Sequence, residues 1–196
     1  MKKLGILGGT FDPIHYGHLW FAEFARESFS LDKVFLIPNK MPPHRDVPNA
    51  SPKQRYEMTL LAAIDNPYLE VLPIELEREG LSYTIDTLRE LKKIYPNDEL
   101  YLLLGKDAFC DFLKWKSPYE ILEVAKIIVG NRKEGDLNDS IKSFLEEYGN
   151  KIFFLDFPYF PISAREIRER VENGLSIKYL VPKLVEEYII KNRLYK

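Results

Sequence analysis

Cysteine is nearly missing from this sequence: Cys110 is the one thiol in 196 residues. Neither an intrachain disulfide nor a thiolate zinc site can be built from it, and a reducing, intracellular setting follows. Also missing is any uninterrupted apolar run of the roughly 18 residues that a membrane helix needs, so no membrane partner is expected. The opening MKKLGILGG is apolar too briefly for a signal peptide and runs straight into polar loop residues, so a cytoplasmic protein is expected. Charge of neither sign is in excess, with a formal net charge of −2. Binding a phosphate backbone needs clustered basic charge, so nucleic acid is not expected as the main partner, although a locally basic pocket stays open. Internal repeats and low-complexity segments are lacking as well.

What is present is the composition of a globular chain, 45 % hydrophobic and 30 % charged. Its length suits one unit, residues 1–196. Short apolar runs at residues 3–7, 33–37, 69–72, 99–104, 126–130 and 152–155 read as buried strands of a parallel sheet. Between most of them, apolar residues recur three or four apart, at 18–29, 53–65, 84–95, 119–124 and 138–148, the spacing of helices. The alternation predicts an α/β fold, a doubly wound parallel sheet built from right-handed crossovers. After the last strand the pattern is helical only, at 163–172 and 183–191, so a core over 1–160 is followed by a small helical C-terminal extension over 161–196.

Three helix starts read as capping boxes: Ser51 with Gln54, Ser117 with Glu120, and Ser163 with Glu166. Pro52 and Pro118 add proline at the first helical position. The proline-rich residues 37–52, IPNKMPPHRDVPNASP, form one long loop, and loops of that length are often functional.

The string LGGTFDPIHYGHL, residues 7–19, packs two glycines and two histidines between the first strand and the first helix. In a doubly wound sheet, ligands bind at the carboxyl ends of strands. Gly8 and Gly9 can let the backbone approach a bound group and tolerate positive φ, and the following helix N-terminus is a ready anion site. His15 and His18, three apart at a helix start, share one face. Two imidazoles there could donate to oxygens that gain charge during reaction at phosphorus, with Gly17 keeping the near side open. An ordinary Gly-Gly turn is the plainer alternative. A zinc pair is disfavoured because no cysteine or carboxylate stands at the expected spacing.

A second anomaly lies in PISAREIRERVENG, residues 161–174, where Arg165 and Arg168 occupy the first two turns of a helix capped by Ser163. Cations at that end oppose the helix dipole at a cost on the order of a few tenths of a kcal/mol. A bound polyphosphate would remove the penalty; pairing with Glu166, Glu169 or Glu172 on a solvated helix is the alternative.

GGTFDPIHYGHL resembles the G-T-F-D-P-x-H-x-G-H signature of the nucleotidyltransferase superfamily, which shares H-x-G-H with class I aminoacyl-tRNA synthetases. The second segment is similar to that superfamily's I-S-x-T-x-x-R, with Ile162, Ser163 and Arg168 matching and Arg165 standing where threonine is usual. Further segments, IPNKMPPHR with Lys40, His44 and Arg45, SYTIDTL with Thr84, and LLLGKDAFCDFLKW with Gly105, Asp107 and Trp115, resemble bacterial nicotinate-nucleotide adenylyltransferases over nearly the whole chain.

That resemblance implies a Rossmann-like fold and adenylyl transfer from ATP to nicotinate mononucleotide, giving deamido-NAD and pyrophosphate in NAD synthesis. It implies that Gly8, Gly9, Thr10 and Phe11 pack against the ATP phosphates and that His15 and His18 stabilise the α-phosphate. Ser163 and Arg168, beside Ile162, would hold the outer phosphates, and Gly105 and Asp107 the ribose or adenine side. Asp107 as an ordinary helix cap is the alternative for that residue. Thr84 and the backbone after Trp115, at Lys116, would take the pyridine carboxylate while Trp115 stacks on the ring, although core packing is a common fate of tryptophan. Lys40 and His44 suit the acceptor's phosphate. Mg²⁺ would be held by ATP, with no metal site supplied by the protein. Pantetheine-phosphate adenylyltransferase and a non-catalytic nucleotide-binding module are the alternatives, and a homo-oligomer is left open.

Overall fold

The computed structural model describes residues 1–41, 47–130, 139–158 and 160–196. Its strands are β1 (Lys3–Gly9), β2 (Lys33–Pro38), β3 (Leu69–Val71), β4 (Glu99–Gly105), β5 (Ala125–Gly130) and β6 (Ile152–Leu155). All pair in parallel in the order β3-β2-β1-β4-β5-β6. This is the doubly wound order of a Rossmann-like sheet, with its switch point between β1 and β4.

Helices cover both faces: α1 (Tyr16–Phe29), α2 (Pro52–Ala63), α3 (Ile74–Glu77), α4 (Thr84–Ile94), α5 (Lys106–Cys110), α6 (Pro118–Val124), α7 (Asp139–Tyr148), α8 (Ala164–Glu172) and α9 (Lys183–Lys191). Strand residues alternate between two cores. In β4, Tyr101 and Leu103 join a core made with α1, α2, α8 and α9, while Leu100, Leu102 and Leu104 face α4, α5, α6 and α7. The two last helices thus belong to the α1–α2 layer, where Val185 and Ile189 are buried and the Tyr188 hydroxyl donates to Glu57. No helix among the described residues is long and apolar enough to cross a membrane.

The predicted strands are all present, with β1, β2 and β4 running a residue or two further than their apolar cores. The Ser51–Gln54 box forms in both directions, with Gln54 N–H donating to Ser51 Oγ at 3.3 Å and Ser51 N–H to Gln54 Oε1 at 2.9 Å. Ser163 caps α8, accepting from Glu166 N–H at 3.1 Å. Ser117 does not cap α6: its backbone is left-handed, φ 53° and ψ 55°, and lacks the extended geometry that aims a cap hydroxyl at the helix. Periodicity missed α3 and α5, which are too short to show it.

Candidate active site

The site begins where two neighbouring strands part. β1 and β4 pair from Lys3↔Glu99 to Ile6↔Leu102 and no further. Beyond that point β1 continues along β2 to Gly9↔Pro38, and β4 along β5 to Gly105↔Gly130. Three residues on each side, roughly 10 Å of strand, therefore flank a crevice at the switch point. Gly8 and Gly105 lie exposed on its two sides, and a Cβ on either would meet nothing within 4 Å.

The two glycines of the turn do different things, and neither uses positive φ. Gly8 leaves open space, whereas a Cβ on Gly9 would come within 2.7 Å of the Phe11 ring. Phe11 itself takes the left-handed backbone, φ 49°, and buries its side chain beneath the turn. The conformational demand expected of glycine is therefore met by a phenylalanine held in place by its packing.

His15 and His18 stack, their ring centroids 3.7 Å apart at 25°. His18 Nδ1 accepts the His15 backbone N–H at 3.3 Å, which closes the start of α1 and puts the proton of a neutral His18 on Nε2. The edge of Phe11 meets His18 at 5.1 Å. His15 is only 6 % exposed, and burial pushes its pKa down to about 4, so it is neutral near pH 7. Its Nδ1 is buried with no hydrogen-bond partner among the described residues. Gly17 lies against this ring: a Cβ there would stand 3.0 Å from His15 Nδ1, so the glycine makes room for His15 rather than for a ligand.

Arg168, from α8, reaches this turn and donates through Nη1 to the Asp12 carbonyl at 2.7 Å. The Ile162 carbonyl faces Gly17, so the starts of α1 and α8 lie side by side, and their positive dipole ends add. Ser163 accepts the Glu166 N–H, which leaves its hydroxyl proton to donate. The Arg165 side chain is mostly exposed and pairs with Glu169 at 2.8 Å, the solvated-helix alternative.

On the far side of the crevice, Asp107 is exposed in the first turn of α5 and Gly105 is the N-cap, so Asp107 is not the cap. The residues expected at the acceptor end form a cluster of their own. No side chain caps α4, which opens at Thr84. Lys116 Nζ sits 4.4 Å over the Tyr83 ring and 3.0 Å from Asp86 Oδ2, drawing the segment after Trp115 onto the start of α4. Trp115 is half-buried and packs at 5.7 Å on Phe112, combining core contact with an open part. Lys40 lies near this cluster, but its Nζ donates to the Arg78 carbonyl at 2.9 Å. Its backbone N–H and that of Met41 donate to Ser82 Oγ, which ties the β2 loop to the approach of α4. His44 and Arg45 lie outside the described residues.

Three residues that hold these parts together were not singled out in the sequence. Arg55, fully buried in α2, donates to the carbonyls of Thr10 at 2.6 Å, Lys40 at 3.2 Å and Ala50 at 3.2 Å, and to Asn39 Oδ1 at 3.4 Å. The signal was available: Arg55, Met58, Thr59 and Ala62 follow helical spacing, which puts a cation on a buried face. Burial pulls the Arg55 pKa down, and the Asp12 charge counters that. Asp12 and Tyr195 are the other two. The Asp12 carboxylate, 4 % exposed as a residue, accepts from Asn49 N–H at 2.8 Å, Ala50 N–H at 3.1 Å and the Tyr195 hydroxyl at 2.8 Å.

Comparison with known proteins gives consistent findings. Residues 6–170 match the model of the cytidylyltransferase-like family. A Dictyoglomus thermophilum protein named "probable nicotinate-nucleotide adenylyltransferase" is 69 % identical over 98 % of this chain and 99 % of its own. A Thermus thermophilus protein of the same name is 42 % identical over 99 % of this chain and all of its own. Among solved structures, Plasmodium falciparum nicotinic acid mononucleotide adenylyltransferase complexed with NaAD superposes with a TM-score of 0.80 at 22 % identity, covering all of this chain and 98 % of that one. The last likeness bears on the fold alone.

Proposed function

The chain belongs to the cytidylyltransferase-like family and, at up to 69 % identity over nearly its full length, to the nicotinate-nucleotide adenylyltransferases within it; from this premise we infer that it transfers the adenylyl group of ATP to nicotinate mononucleotide. The products are nicotinate adenine dinucleotide and pyrophosphate, in a step of NAD biosynthesis. The observation that carries the site assignment is the convergence of His15, His18 and Arg168 on the turn leaving β1, beside the crevice.

In this reading an oxygen of the acceptor's 5′-phosphate attacks the α-phosphorus of ATP. The bond from that phosphorus to the bridging oxygen breaks, and pyrophosphate leaves with the electron pair. The attacking oxygen is already anionic, so no general base is required, and catalysis rests on positioning and charge stabilisation. Gly8, Gly9, Thr10 and Phe11 shape the backbone against the phosphates. His15 and His18 donate to the α-phosphate oxygens; the approach of the polyphosphate favours the imidazolium and raises the pKa that burial has lowered. Arg168, Ser163 and the start of α8, next to Ile162, hold the outer phosphates, while Gly105 and Asp107 border the nucleoside.

At the other end, the uncapped N–H groups opening α4 at Thr84 and the backbone at Lys116 receive the pyridine carboxylate, with Trp115 against the ring. Donors that fit a carboxylate oppose the NH₂ of the amide, which gives preference for the acid. Lys40 and His44 are assigned to the acceptor's phosphate; for Lys40 this means exchanging the Arg78 carbonyl for the ligand.

Among the described residues no group of three or more His, Cys, Asp or Glu side chains could hold a metal ion, and Asp12 is occupied by three donors. Magnesium is assigned to the substrate, as the magnesium salt of ATP, whose phosphates would hold it. We place the reaction in the cytoplasm on the strength of the single cysteine.

The test is pyrophosphate release from ATP and Mg²⁺ with nicotinate mononucleotide, nicotinamide mononucleotide and phosphopantetheine in parallel. Release with the first and little with the second is the expected result. Equal release with acid and amide would remove the carboxylate site; release with phosphopantetheine would replace the acceptor. No release with any would leave a nucleotide-binding module.

A further inference from the structure

The chain does not fray after α9. Residues 192–195 turn back through two left-handed positions, Arg193 at φ 51° and Tyr195 at φ 62°. Leu194 is buried in the first core, and the Tyr195 hydroxyl is delivered to Asp12. Non-glycine residues adopt such backbone only where surrounding contacts fix it. Here those contacts lead to the catalytic turn, 183 residues earlier in the chain.

Asp12 faces two ways. Its carboxylate collects Tyr195, Asn49 and Ala50, and its carbonyl, in the same residue, receives Arg168. Among the described residues that carbonyl is the one hydrogen-bond partner of Arg168. Tyr195 and Arg168 also line one cavity of about 300 Å³ together with Asn49 and Arg165. Burial beside the Asp12 carboxylate pushes the Tyr195 pKa far up, so its hydroxyl keeps its proton and serves as a donor.

We propose that Tyr195 is a positioning residue for the triphosphate site: its hydroxyl fixes the Asp12 carboxylate and thereby the carbonyl on which Arg168 is aimed. Without that donor, Asp12 Oδ1 keeps only the longer bond from Ala50 N–H, and the buried carboxylate must rotate or admit water. Either change moves the peptide that anchors Arg168. The proposal rests on the assignment of Arg168 to ATP.

The test is Tyr195→Phe, which deletes one oxygen and keeps the ring. It is compared with wild type, Arg168→Ala and the double variant, by calorimetric titration of a non-hydrolysable ATP analogue and by steady-state kinetics. The expected result for Tyr195→Phe alone is a 5- to 10-fold loss in ATP-analogue affinity and a matching rise in KM for ATP, with KM for nicotinate mononucleotide changed less than 2-fold. In the Arg168→Ala background the same substitution should leave affinity unchanged, because the group it aims is gone. Unchanged affinity in the wild-type background overturns the proposal. So does an equal loss in both backgrounds, which is what general weakening of the fold would produce. If wild type binds the analogue but releases no pyrophosphate with any acceptor, the functional reading fails, while the binding cycle still decides the role of Tyr195.

Discussion

His15 and His18 share one stacked arrangement but occupy unlike surroundings. The His15 ring lies against Gly17 with an Nδ1 that has no hydrogen-bond partner among the described residues, while His18 is half-exposed and spends its Nδ1 on the His15 backbone. Each ring therefore answers to a different measurement.

His18 is the more exposed of the two rings and, in the proposed reaction, the donor to the transferred phosphoryl group. His18→Ala should lose about 10² to 10³ in kcat, the scale of one transition-state donor. The loss of its bond to the His15 N–H should cost about 1 kcal/mol of stability at most. Initial-rate kinetics and urea melts separate the two effects; an unchanged kcat would remove His18 from the catalytic set.

His15 answers to pH. Its folded pKa of about 4 lies below the ordinary 6.5, so between those values the unfolded chain takes up a proton that the folded chain refuses. This contribution to stability is present above pH 6.5 and is lost as pH falls toward 4, at up to about 1.4 kcal/mol per pH unit. His15→Asn should flatten that slope. Urea midpoints for both proteins at pH 7, 6, 5 and 4.5 check it, and parallel curves would show that His15 titrates normally.

Arg55 connects Thr10, Asn39, Lys40 and Ala50 from within α2. Arg55→Met should destabilise the protein by about 3 to 5 kcal/mol, because several buried carbonyls lose a charged donor at once. Arg55→Lys should recover only part of this, since one ammonium cannot span the positions a guanidinium fork reaches. Denaturant melts give the stability. Retained stability in Arg55→Met would mean that water replaces the fork.

Trp115 and Lys116 are assigned to the acceptor end in the proposed reaction. Trp115→Ala should raise KM for nicotinate mononucleotide roughly 10-fold or more, the worth of one aromatic contact, and leave KM for ATP within about 2-fold. Kinetics with each substrate varied in turn checks it. Equal rises would mean that loss of the Phe112 contact has disturbed the fold.

Much of this architecture can be read from the chain because its signals are local. The strand runs, the Ser51 and Ser163 caps and the histidine spacing each depend on a few neighbouring residues. Ser117 shows the limit: a serine three residues before a glutamate satisfies the capping pattern, yet its backbone takes a left-handed conformation that does not cap. Phe11 shows it again, taking the left-handed position that two adjacent glycines suggest for themselves. The network joining Asp12, Arg55 and Tyr195 is hidden for another reason, although the helical spacing of Arg55 with Met58, Thr59 and Ala62 does place that cation on a buried face. Their partners lie between 37 and 183 residues away for Asp12, and up to 45 for Arg55, so no short motif records them.

The parting of β1 from β4 carries a consequence for how this protein tolerates change. At Gly8 and Gly105 its two sides are main chain, and main chain is the same whatever side chains the sequence specifies. Losing atoms there is hardly possible; gaining them is easy. Gly8→Ala or Gly105→Ala would meet no protein atom within 4 Å, so the fold would accept the extra methyl, which in the proposed reaction stands in the space assigned to ATP. If the proposed site holds, a harmful substitution at these two positions leaves the protein stable and abundant, with its function alone removed.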